Sequence, residues 1–172
     1  MTMKKFFVFL FILILIFIAF LVGFSLNKES RYVPPETVAI MFFRNLSEGS
    51  YEQALKYYGG SFETLQNWNP EVSSLDYIEL IKRGCEKNGL NCLPVRSIIV
   101  DPSISIEGLN KEGLYDRITP YTVTFEKKEG GLFEIGPCCG EEDTGERFSQ
   151  FTVFIAEKQG NYVVLTLPPY TP

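Results

Sequence analysis

Uncharged residues fill the beginning of this chain, and alternation of apolar with polar residues fills its end. From Phe6 to Leu26 the sequence reads FFVFLFILILIFIAFLVGFSL, with no charge and no proline. At about 1.5 Å of rise per residue, a helix of that length spans the roughly 30 Å hydrocarbon core of a bilayer. The run is longer than the apolar region of a secretory signal and no A-x-A cleavage site follows it. An uncleaved single-pass anchor is therefore favoured over a cleaved leader. Lys4 and Lys5 precede the run, while Lys28, Glu29 and Arg31 follow with mixed sign. That bias places the N-terminus in the cytoplasm and everything after the anchor outside. The expected organisation is a stub and anchor over 1–27, a linker over 28–33, and one extracytoplasmic domain over 34–172.

Beyond the linker the apolar period is first helical. Pro34-Pro35 suits a helix start, where the missing proline N–H costs nothing. Val38, Met41, Phe42 and Leu46 then form one face over Pro35–Leu46, widened by Ala39, Ile40 and Phe43. Ser50 opens a second helix, with Gln53 placed to complete a capping box; Ala54, Leu55 and Tyr58 form its apolar side and Gly59-Gly60 ends it. Ser61 starts a short piece to Trp68, stopped by Asn69-Pro70. Ser73 or Ser74 starts a further helix with Leu75, Ile78, Ile81 and Cys85 on one face, ending near Asn88-Gly89.

From there the period becomes two. Ile98, Val100, Ile104 and Ile106 alternate with Ser97, Ser103, Ser105 and Glu107, in a strand that Pro102 bends or confines to an edge. Tyr121, Val123 and Phe125 define a second strand, and Gly130-Gly131 a turn into a short return over Leu132–Ile135. Phe151, Val153 and Ile155 define a third long strand, and Gln159-Gly160 a tight hairpin into a last strand over Tyr162–Leu167. Helices followed by antiparallel strands predict an α+β fold: helices packed on a curved, mostly antiparallel sheet of four to five strands.

The stretch PPETVAIMFFRNLSEGSYEQALKYYG, Pro34 to Gly59, resembles the opening of NTF2-like (cystatin-like α+β cone) domains. The matching element is Gly49-Ser50-Tyr51-Glu52-Gln53-Ala54, a G-x-Y-x-x-A pattern between two helices. The later helix and the strands from Val95 to Leu167 follow the same order. The resemblance implies a cone whose mouth lies near Tyr57, Tyr58, Phe62 and Trp68, which either line a pocket for an apolar ligand or, the favoured reading, pack the core. That superfamily includes ketosteroid-isomerase-like and dehydratase-like enzymes as well as non-catalytic binding domains, so the fold does not select a function.

Composition narrows the choice. The chain has no histidine, which removes Ser-His-Asp chemistry and histidine-based zinc hydrolysis. Its net charge is −5; the first thirty residues carry +2, leaving −7 beyond them. An acidic body is a poor nucleic-acid binder and is repelled by anionic headgroups.

Four cysteines, Cys85, Cys92, Cys138 and Cys139, form an even set in an oxidising compartment and read as disulfides. Cys85 with Cys92 would staple a helix end to the first strand; either of them with Cys138 or Cys139 would instead tether the acidic loop at 136–146. Paired zinc-site spacing is absent, and Glu141, Glu142 and Asp143 disfavour a reactive thiolate. No metal or cofactor is expected.

An isomerase-like site would need a carboxylate base and a tyrosine donor inside the cone. Asp76, Asp101 and Glu126 are the candidate carboxylates, with Tyr57, Tyr58, Tyr77 and Tyr121 as donors. Each carboxylate has a simpler role, Asp76 at a helix start and the other two on polar faces. The Asn45-Leu46-Ser47 sequon falls inside a predicted helix. The expectation is a membrane-anchored, non-catalytic binding module for a protein or small-molecule partner, with pairing of two sheets into a homodimer left open. The alternatives are an isomerase- or hydrolase-like enzyme and a structural accessory subunit of a membrane complex.

Overall fold

The computed structural model describes residues 32–110, 113–136 and 147–171. The chain divides into two units, Met1–Tyr32 and Val33–Pro172. The expected anchor at Phe6–Leu26 lies outside the described residues. Among the residues described, no helix is long and apolar enough to cross a membrane.

The second unit is α+β. Among the described residues, four helices, α1 (Pro35–Ser47), α2 (Tyr51–Leu55), α3 (Glu63–Trp68) and α4 (Tyr77–Glu86), precede four strands, β1 (Val95–Val100), β2 (Arg117–Phe125), β3 (Phe151–Lys158) and β4 (Asn161–Val164). The strands form one curled antiparallel sheet in the order β1-β2-β3-β4. A four-stranded meander of this kind with helices laid on it is compatible with a cone-like α+β fold.

Alternation marks the inner face over the second half of β2, while nearer its start Ile118 and Pro120, with Ala156 of β3, are buried on the opposite face. Tyr121, Val123 and Phe125 of β2 and Val153 and Ile155 of β3 are buried in the core cluster that holds the buried face of α1. Their polar neighbours Thr122 and Thr124 face the other way, as period two requires. Each fully buried Phe or Leu contributes about 1.5–3 kcal/mol. Aromatic contacts lock this layer: Phe43 meets Phe42 and Phe125 edge-on, both at 4.9 Å between ring centroids.

Helix α1 buries Val38, Ala39, Phe42, Phe43 and Leu46. Met41, expected on that face, is 40 % exposed. At about 100° per residue the five buried positions centre on one direction, and Met41 and Ile40 fall on opposite flanks beyond it. Helix α2 is a single turn without the expected capping box. The Ser50 side chain makes no cap bond, and Gln53 Oε1 accepts from Lys56 Nζ instead. After α2, Tyr57 and Gly59 run parallel to β4, with Val164 N–H donating to Tyr57 O and Gly59 N–H to Val164 O. Gly59 and Gly60 are needed for that approach: a Cβ on Gly60 would lie 2.3 Å from the Leu165 carbonyl oxygen.

Helix α3 begins where Ser61 Oγ accepts from Glu63 N–H, close to the expected start. Helix α4 starts later than expected, at Asp76, whose carboxylate accepts from Glu79 N–H. Its buried stripe is Leu80, Ile81 and Gly84, because Gly84 lets Leu65 and Leu90 close onto the helix. Leu75 therefore precedes the helix at 79 % exposure, and Ile78 lies on its outer flank.

Strand β1 ends at Val100, before Pro102, and pairs only with β2, so it is an edge strand. Ile104 and Ile106, expected on the same strand, fall in the following loop. The return over Leu132–Ile135 is reduced to two isolated bridges, Glu126 with Leu132 and Ile135 with Phe148. At Gln159-Gly160 both residues have positive φ, 52° and 75°, as the expected two-residue hairpin demands.

Candidate functional site

At one end of the inner face, the apolar positions give way to polar ones. Arg117 opposes Glu157, and Glu157 opposes Tyr162, so one row crosses β2, β3 and β4. Directly opposed residues share a face, and Arg117 has the same parity as buried Tyr121. The row therefore lies on the helix-covered side, at the rim of the core. Arg117 donates to Glu157 Oε2 at 2.9 Å, with Tyr162 beside Glu157 in the row. These two partners, Glu157 first, raise the guanidinium pKa further.

Beside the row, α1 contributes Glu36 from its first turn, two residues before the buried stripe begins. The Tyr121 hydroxyl donates to Glu36 Oε1 at 3.3 Å. Tyr121 is 2 % exposed, and burial, followed by the Glu36 charge, pushes its hydroxyl up to about 12. The rim thus presents two carboxylates, a guanidinium 64 % exposed along its side chain, and the half-buried Tyr162, above the buried Tyr121 hydroxyl that Glu36 holds. Tyr121 stays protonated throughout the neutral range and its proton is given to Glu36.

Of the residues singled out from sequence, only Tyr121 belongs to this cluster. Asp76 is an exposed helix cap. Asp101 accepts from Ser103 and from Thr122 Oγ1, which faces away from the helices; the Ser103 bond chiefly, then Thr122, lowers its pKa. Glu126 is exposed where β2 ends. None of the three sits inside the sheet, so the carboxylate–tyrosine site built on them is not formed.

Tyr57, Tyr58, Phe62 and Trp68 all pack against the core from partly buried positions. Tyr58 stacks on Phe42 at 5.5 Å and meets Phe62 at 5.0 Å, and Phe62 stacks on Tyr77 at 4.5 Å. Burial raises the Tyr58 hydroxyl. Trp68 stands apart from that chain of rings, against Tyr170 at 5.0 Å.

Cys85 and Cys92 are bonded to each other, with Cα atoms 5.5 Å apart. The alternative in which either one tethers the acidic loop is thereby corrected; Cys138 and Cys139 lie outside the described residues. Among the residues described, no three Cys, Asp or Glu side chains gather as a metal site. Asn45 of the sequon sits within α1, its amide donating to Met41 O.

Glu36, Arg117, Glu157 and Tyr162 were not picked out from sequence. The one available signal was parity: Arg117 and Thr119 continue the Tyr121-Val123-Phe125 face. No family model, curated protein or solved structure matches the chain.

Proposed function

We propose that this chain is a membrane-anchored, extracytoplasmic binding module of NTF2-like fold, non-catalytic, whose partner or ligand engages the polar rim of the inner face. The uncharged run Phe6–Leu26 and the lysines before it support the anchor and its direction. The single observation that carries the binding role is the Arg117–Glu157–Tyr162 row beside Glu36 and Tyr121. At this end the inner face passes into paired charges and a phenol that reach solvent, so a partner could meet donors and acceptors already held in place. Such groups recognise a partner of mixed polarity through geometry more than through net charge.

A photo-crosslinking residue in place of Thr119, between Arg117 and Tyr121 on that face, tests the reading in intact cells. A discrete adduct is expected at position 119, diminished by Arg117→Glu in the same chain. Adducts from position 99 on the opposite face, with none from 119, would overturn it.

An isomerase- or hydrolase-like enzyme is the second reading. One observation favours it: a carboxylate, Glu36, lies within hydrogen-bond reach of a buried tyrosine. It differs from the first in requiring turnover that Glu36→Gln abolishes while ligand binding persists.

A further inference from the structure

Away from the rim, the C-terminal segment folds back onto the turn that follows α4. Asn91 holds it there. Its backbone N–H donates to Pro169 O at 2.7 Å, and its side-chain amide donates to Pro169 O at 3.1 Å and Thr171 Oγ1 at 3.0 Å. Thr171 N–H donates to Gly89 O at 3.0 Å, and Leu90 bridges Tyr170 antiparallel. Gly89 has φ of 81°, and a Cβ there would lie 2.3 Å from Thr171 O and 3.1 Å from the Tyr170 ring. Glycine is thus what admits the tail. The Cys85–Cys92 bond closes the same turn.

The docked tail carries the Tyr170 ring onto Trp68, centroids 5.0 Å apart and planes inclined by 33°. With Lys87, Asn88 and Thr171 these rings line an open cleft of about 460 Å³. Its polar wall is fixed from below. Asn69, 3 % exposed, donates its amide to Asn88 Oδ1 at 3.1 Å and to Leu65 O at 2.8 Å. The Asn88 oxygen is therefore engaged by the protein, which leaves the Asn88 NH₂ as the donor at the cleft.

We propose that this cleft is a second binding site, independent of the rim, and that its ligand is a neutral saccharide. A pyranose presents C–H groups on one face, suited to the half-exposed Tyr170 ring, and hydroxyls around its edge. Those hydroxyls would accept from Lys87 and Asn88 and exchange bonds with Thr171. An apolar ligand would leave these groups desolvated without partners. A polyanion would meet one lysine on a body carrying −7.

Trp68 is the sole tryptophan in the chain and lines this cleft, so its emission reports on it. The full-length protein in a non-glycosidic detergent is titrated with N-acetylglucosamine tetramer, cellotetraose and, for contrast, oligogalacturonate. A saturable change with a neutral tetramer is expected, about tenfold weaker in Tyr170→Ala and retained in Tyr170→Phe. Lys87→Ala, at an exposed position that leaves the tail undisturbed, is expected to weaken it several-fold. No saturable change up to millimolar neutral sugar would overturn the proposal. So would binding indifferent to both Tyr170→Ala and Lys87→Ala, or binding confined to the acidic oligomer.

Discussion

The Tyr121 hydroxyl donates to the Glu36 carboxylate at 3.3 Å, joining the middle of β2 to the first turn of α1 across 85 positions of sequence. This bond sits where the core ends and the polar rim begins, and it ties the helix layer to the sheet there. Removing the hydroxyl by Tyr121→Phe keeps the ring and its packing. The expected cost is about 1 kcal/mol at neutral pH, read from chemical denaturation.

The same bond gives a pH dependence. The folded-state pKa of Tyr121 is raised from 10.0 to about 12, by burial first and Glu36 next. The neutral form is thus favoured by folding. Its contribution is fully present below pH 10 and lost as pH rises through about 12. Denaturation midpoints should fall across that window, and Tyr121→Phe should flatten the fall. Tyr58, also raised by burial, keeps part of it in the variant. An unchanged slope would contradict the assignment.

The Cys85–Cys92 bond closes a loop with a sequence separation of 7. For so short a loop the chain-entropy estimate is about 2–3 kcal/mol. The double variant Cys85→Ser, Cys92→Ser should lose about that much, measured by denaturant midpoint under non-reducing conditions. It should also release the tail held by Asn91, read as faster amide exchange at Thr171. Unaltered exchange there would show that the tail is held without the staple.

At Gly60 the obstacle is backbone, not a yielding side chain: a Cβ would stand 2.3 Å from Leu165 O and 2.5 Å from the Tyr58 hydroxyl. Gly60→Ala is expected to cost about 1–3 kcal/mol by forcing the segment away from β4. A midpoint equal to that of the parent would contradict the close approach.

The order of elements was legible because the period of the pattern changes once, from helical to alternating. Tyr121, Val123 and Phe125 read directly as an inner face, since all three belong to the buried core. Local exactness failed where one residue redirects an element. Gly84 draws Leu65 and Leu90 onto α4 and turns Ile78 outward, and Pro102 ends pairing before Ile104. The rim cluster was illegible for a different reason. Glu36, Arg117, Glu157 and Tyr162 meet only through strand register and helix placement, and nothing in their local sequence marks them. The Cys85–Cys92 pairing was one of the arrangements the spacing allowed, and only the folded turn selects it.

The account as a whole rests on the domain lying outside the cell's cytoplasm. Paired C-terminal fusions of the full chain measure that most directly, one to alkaline phosphatase, active only after export, and one to a fluorescent protein that matures only in the cytosol. The account predicts an active phosphatase in the membrane fraction and a dark fluorescent fusion. A bright fluorescent fusion with inactive phosphatase would contradict it.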